Sequence, residues 1–139
     1  MNTRRNRRRT AFTLMEVLLV LAILVILGSM VGFFLVGMQK GAYEDLSKTQ
    51  MGYFEQQLDA YQLHVGSYPS TAQGLDALRN QPQDLPNPKK WRGPYSKKDI
   101  PLDPWGNPYQ YELVGGDQYR IWSWGPDRQN GTDDDIIHQ

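Results

Sequence analysis

Twenty-two consecutive residues, Val17–Met38, carry no charge. Wound as one helix at about 1.5 Å per residue, such a run crosses the hydrocarbon of a bilayer. Five arginines crowd Arg4–Arg9 just ahead of it, and Glu16 stands at its edge. Arginines beside a single span stay on the cytoplasmic side, so the rest of the chain is expected across the membrane. A secretory signal peptide does not fit. Its apolar region is shorter, and nothing like A-x-A follows this one. Glu16 is the odd residue. An acidic side chain at the centre of a lipid-embedded helix costs roughly 2.5–3.5 kcal/mol, and less near an end. It therefore calls for a compensating partner, or for a helix start where the macrodipole favours an acid.

The chain has 139 residues, and setting aside the first 38 leaves 101 for one small domain. A domain of that size is marginally stable unless something staples it. With no cysteine the staple is not a disulfide, whereas a metal can serve an exported domain. The formal net charge of zero conceals an asymmetry. Without residues 1–11, ten Lys and Arg oppose fifteen Asp and Glu, a net of −5. That balance argues against a nucleic-acid surface. No nucleophile–base pair, phosphate loop or two-histidine metal site stands out, so the chain is read as no enzyme.

Helical spacing continues beyond Met38. Tyr43, Leu46, Phe54, Leu58, Tyr61 and Val65 make one apolar stripe, so one helix is predicted from about Thr13 to His64, stopped by Gly66. Ser70 and Gln73 have the spacing of a capping box, predicting a short helix through Leu75 and Leu78 to near Asn80. Seven prolines between Gln81 and Pro108 exclude a long helix or a central strand there. The stretch reads as an ordered loop weighted by Trp91, Tyr95, Leu102 and Trp105. Two strands, 109–113 and 119–122, are predicted around a Gly115-Gly116 turn. His64 and His138 read as packing or surface residues. The fold class is α+β: a long N-terminal helix on a small antiparallel sheet.

Arg7-Arg8-Arg9-Thr10-Ala11 followed by Phe12-Thr13-Leu14-Met15-Glu16-Val17 resembles the leader of the type IV pilin and pseudopilin superfamily. The resemblance implies cleavage between Ala11 and Phe12 by a prepilin peptidase and methylation of the new amine of Phe12. It implies that residues 1–11 are a leader, 12–38 a transmembrane and assembly helix, and 39–139 a periplasmic globular domain. It gives Glu16 a role in assembly, pairing with the N-terminal amine of a neighbouring subunit in the apolar filament core. Two departures stand out: Ala11 where the family usually has Gly, and Phe33 where it has a helix-kinking proline.

Farther along, Gly66-Ser67-Tyr68-Pro69, Asp103-Pro104-Trp105-Gly106-Asn107-Pro108-Tyr109, Ser123-Trp124-Gly125-Pro126-Asp127 and Gly131-Thr132-Asp133-Asp134-Asp135-Ile136 are together similar to major pseudopilins of type II secretion systems. Membership implies a helical homopolymer, anchored in the inner membrane before assembly, that pushes folded exoproteins across the outer membrane. Its implied partners are further copies of itself, minor pseudopilins, inner-membrane platform proteins and the prepilin peptidase. A type IV pilus or competence pilin is the alternative.

The last block is acidic. Asp127, Asp133, Asp134 and Asp135 lie within nine residues and repel one another unless something positive sits among them. Hard oxygen ligands in a loop suit Ca²⁺, but the spacing is not that of an EF-hand. Pattern alone leaves calcium open against a solvated acidic loop. The resemblance implies one calcium held by Asp127, Asp134, Asp135 and the backbone carbonyl of Trp124, with Asp133 outside the set.

Overall fold

The computed structural model describes residues 12–138. The chain divides into two compact units, Met1–Lys40 and Gly41–Gln139. The predicted leader and Ala11 lie outside the described residues.

Helix α1 runs Leu14–Val65, 52 residues, within a residue of expectation at each end. Thr13 sets its start: the Glu16 N–H donates to Thr13 Oγ1 at 3.2 Å and to the Thr13 carbonyl at 3.1 Å. A hydroxyl at that position satisfies a donor that the first turn leaves open. Gly66 ends it, with φ 97 and its N–H donating to the Gln62 carbonyl at 2.7 Å. That left-handed conformation is the common glycine stop.

In the first unit the large apolar side chains from Phe12 to Leu35, and Met38, are exposed. The helix is long and apolar enough to cross a membrane, with a mean hydropathy of 2.9 over its most apolar window.

In the second unit α1 buries Ser47, Met51, Phe54, Leu58 and Tyr61. Steps of four and three keep these on one face. The expected stripe is displaced at its start. Leu46 is 57% exposed and Ser47 fully buried, because one residue turns a helix by about 100°. The capping box forms as spaced: Ser70 N–H donates to Gln73 Oε1 at 2.9 Å and Gln73 N–H to Ser70 Oγ at 3.2 Å. It heads a turn rather than a longer helix. Gly74, at φ 56, separates that turn from a single 3₁₀ segment, Leu75–Leu78, which buries Leu75, Ala77 and Leu78.

The proline-rich stretch is irregular, as predicted, apart from a 3₁₀ turn at Pro88–Lys90. Its aromatic residues pin it. Trp91 Nε1 donates to the Ala77 carbonyl at 3.1 Å, and the Tyr95 and Ser96 amides donate to the Leu78 carbonyl. The Tyr95 ring lies 5.5 Å from that of Tyr61.

Three antiparallel strands close the unit in the order β1 (Gln110–Gly115), β2 (Gln118–Ser123), β3 (Ile136–His138). Tyr111 pairs with Ile121 and Ser123 with Ile136. The turn falls at residues 116–117, one residue beyond expectation, after a register shift between Leu113 and Gly115. β3 was not expected. Tyr109, Tyr111, Ile121 and Ile136 join the helix residues in the core, with Phe54 and Tyr109 edge to face at 5.2 Å. His138 Nε2 lies 2.9 Å from Glu55 Oε2, tying β3 to α1.

Candidate functional site

Two places hold the residues singled out in the sequence. At the start of α1, Phe12 precedes the helix and is 80% exposed. Glu16 occupies the first turn, its backbone amide held by Thr13. An acid there complements the positive helix end, so the helix start tolerates Glu16 before any partner arrives. The partner that the resemblance implies for it would belong to another copy of the chain.

The second place is the loop between β2 and β3. Its turns are made largely by its own acids. Asp127 Oδ1 accepts the Gln129 N–H at 3.0 Å, and Asp135 Oδ2 accepts the Gly131 N–H at 2.8 Å. Asn130 Oδ1 accepts the indole N–H of Trp122 at 2.8 Å, holding the loop to β2. Among the described residues, no three of His, Asp and Glu are gathered closely enough to hold a metal ion. Asp127, Asp134 and Asp135 are thus on one loop but not drawn into one cluster.

One end of that loop nevertheless suits a cation. Asp135 Oδ1 is buried without a hydrogen-bond partner. A desolvated carboxylate oxygen is costly until a positive group meets it. Gly125, at φ 68, lies so close to the carbonyl of Asp134 that a Cβ there would collide with it. That approach brings the peptide after Trp124 beside Asp134. Asp135 Oδ1 is a hard oxygen of the kind calcium takes, and the Trp124–Gly125 peptide, whose carbonyl is another, lies beside the preceding residue, Asp134.

A third constellation was missed in the sequence. Asp103 is 4% exposed, and every hydrogen bond it accepts is internal. Its Oδ1 takes the Trp105 and Asn107 amides at 3.1 and 2.7 Å, and its Oδ2 takes the Ser123 hydroxyl at 2.6 Å. Ser123, fully buried, in turn accepts the Gly125 N–H at 3.1 Å. A buried carboxylate is tolerated when its oxygens are satisfied in this way. Asp before a Gly-containing turn was the legible signal for the first two bonds. Nothing in the sequence showed that Ser123, twenty residues away, would complete the set.

Residues 35–139 match the family described as "Type II secretion system (T2SS), protein G". Residues 6–32 match the prokaryotic N-terminal methylation motif. The type II secretion system core protein G of Aeromonas hydrophila is 45% identical over 132 residues, which is 94% of this chain and 92% of that protein. The protein of the same description in Vibrio cholerae is 43% identical over 128 residues, covering 90% and 86%. A solved structure is similar too: the major pseudopilin from the type 2 secretion system of enterohaemorrhagic Escherichia coli. It matches with a TM-score of 0.67 at 36% identity, over 75% of this chain and 88% of that one. The fold, the N-terminal motif and the matched length agree with the resemblance seen in the sequence, and the chain belongs to the type II secretion system protein G family of major pseudopilins.

Proposed function

We propose that this chain is the major structural subunit of a type II secretion pseudopilus and works by polymerising rather than by catalysis. The observation that carries the reading is the match of residues 35–139 to the protein G family, joined to a methylation motif at residues 6–32. The full-length relatives point the same way, and a type IV or competence pilus is not favoured.

In this reading the precursor sits in the inner membrane by residues 12–38, N-terminus in the cytoplasm, with the globular unit in the periplasm. A prepilin peptidase cuts between Ala11 and Phe12, and Phe12 is methylated. Copies then stack so that Glu16 of one meets the Phe12 amine of another, neutralising both where an unpaired charge is expensive. The growing filament, together with minor pseudopilins and inner-membrane platform proteins, pushes folded proteins through the outer membrane. Intact-mass and N-terminal analysis of the membrane-extracted protein tests the first step. A chain beginning at methylated Phe12 is the expected result. An uncut leader, or a cut beyond Met38, would overturn the reading.

The acidic loop is assigned a calcium ion held by Asp127, Asp134, Asp135 and the Trp124 carbonyl. Bound there, the ion supplies positive charge among four carboxylates that Arg128 alone does not balance. Support comes from the orphaned Asp135 oxygen and the Gly125–Asp134 approach. All four tryptophans lie in the second unit, so their fluorescence follows its unfolding alone. Binding at a hundred times Kd adds about 2.7 kcal/mol of stability. EGTA should therefore lower the melting temperature by several degrees, and an unchanged melt would remove the ion.

A further inference from the structure

We infer that Asp103 is a positioning residue for the calcium loop, acting through Ser123 on the peptide between Trp124 and Gly125. The inference rests on the calcium assignment and adds to it a residue outside the loop. Its basis is the buried chain of bonds Gly125 N–H to Ser123 Oγ, at 3.1 Å, and Ser123 O–H to Asp103 Oδ2, at 2.6 Å. A trans peptide is planar, with its N–H and C=O pointing in opposite directions. Tying the Gly125 N–H to Ser123 therefore aims the Trp124 carbonyl away from Ser123. That carbonyl is the backbone ligand assigned to calcium.

The hydroxyl works in one direction only. It accepts from Gly125, so its proton must go to an acceptor, and Asp103 Oδ2 is that acceptor. Asp103 is itself immobile, because Oδ1 is held by the Trp105 and Asn107 amides and the side chain is buried. The turn after residue 103 and the loop after residue 123 are thus joined by one carboxylate. Gly125 gains a second constraint from the Asp134 carbonyl packed against it. A ligand carbonyl set by a buried network loses no orientational freedom when the ion binds. Partners of this kind, one bond removed from the metal, are worth about 10–100-fold in metal affinity.

Asp103→Asn is the discriminating change. It keeps the shape and the Oδ1 acceptor but replaces the acceptor facing Ser123 with a donor. The measurement is Tb³⁺ luminescence sensitised by the neighbouring tryptophans, on the full chain in detergent, with the bound Tb³⁺ displaced by Ca²⁺. Calcium affinity should fall about 10–100-fold in Asp103→Asn. Ser123→Ala should fall by a similar factor, and the double variant should be no worse than either alone. Ile121→Val, a core change outside the chain of bonds, should lower the melting temperature without changing the calcium affinity. Unchanged affinity in folded Asp103→Asn, or in Ser123→Ala should the first variant not fold, would overturn the inference while leaving the ion in place. A wild-type protein that binds no calcium would overturn both.

Discussion

The two units of this chain solve the apolar-surface problem in opposite ways. In the second, Met51, Phe54, Leu58 and Tyr61 on α1 find their cover within the same chain, in Leu75, Leu78, Tyr109, Tyr111 and Ile121. In the first, large apolar side chains from Phe12 to Leu35, and Met38, are exposed, and Gly28, Gly32 and Gly37 have open space beside them. The glycines of the second unit include two that are crowded, Gly93 under the Trp91 ring and Gly125 against Asp134. One unit is complete as a monomer. The other leaves its apolar surface open, to be covered in the proposed reading by lipid before assembly and by further copies after it. A charge therefore means different things in the two places. Asp103 is compensated by bonds already made, whereas Glu16 in the proposed filament is compensated only by a neighbouring copy.

The largest effect should come from breaking the incomplete unit at that charge. Glu16→Ala should leave the protein in the membrane fraction and its second unit folded, yet abolish filaments seen by electron microscopy. Normal filaments from this variant would contradict the pairing of Glu16 with a neighbouring amine. A smaller effect should follow from breaking the complete unit. Leu58 is fully buried on α1, and Leu58→Ala should cost about 2–5 kcal/mol of unfolding free energy, read by tryptophan fluorescence in guanidinium. Membrane insertion should be untouched. A loss of insertion would show that the two units do not fold independently.

How legible each unit was in the sequence follows from the same contrast. An uncharged run of 22 residues is its own argument, and both ends of α1 were readable because Thr13 and Gly66 act locally. The hairpin was readable for the same reason, through alternation and glycine. What escaped depends on contacts between distant residues. β3 has three residues, too few for alternation to register, and it exists because Ser123 and Trp122 offer a free edge. Leu46 was placed inside and lies outside, since Ser47 faces the core and only the packed partner reveals the offset. Of the candidate site, the acidic residues were plain, but their arrangement was not. Asp133–Asp135 are consecutive, and consecutive side chains in a loop do not share a direction. The role of Asp103 needed Ser123 beside it, which only the fold provides.

The smallest effect sharpens the comparison from the side of the complete unit. All eight tyrosines lie beyond residue 41, so alkaline titration addresses that unit alone. Burial pushes the Tyr61 hydroxyl up to about 12, with the nearby Tyr95 and Asp84 adding to it. Burial also raises Tyr111 and Tyr119, reinforced for Tyr119 by Asp59 and Glu55. In the unfolded chain these groups ionise near 10. Raised values in the fold mean that the folded state holds protons which the unfolded state has released, so stability must fall as pH rises. The contribution is whole below pH 10 and is withdrawn between 10 and 12 as the unfolded tyrosines ionise. The guanidinium midpoint should therefore be flat from pH 8 to 9.5 and drop steadily above 10. Tyr61→Phe should soften the drop, since its hydroxyl is buried without a partner and its removal takes one proton from the balance. A midpoint that stayed level to pH 12 would mean that these tyrosines reach solvent, and that the second unit is no better sealed than the first.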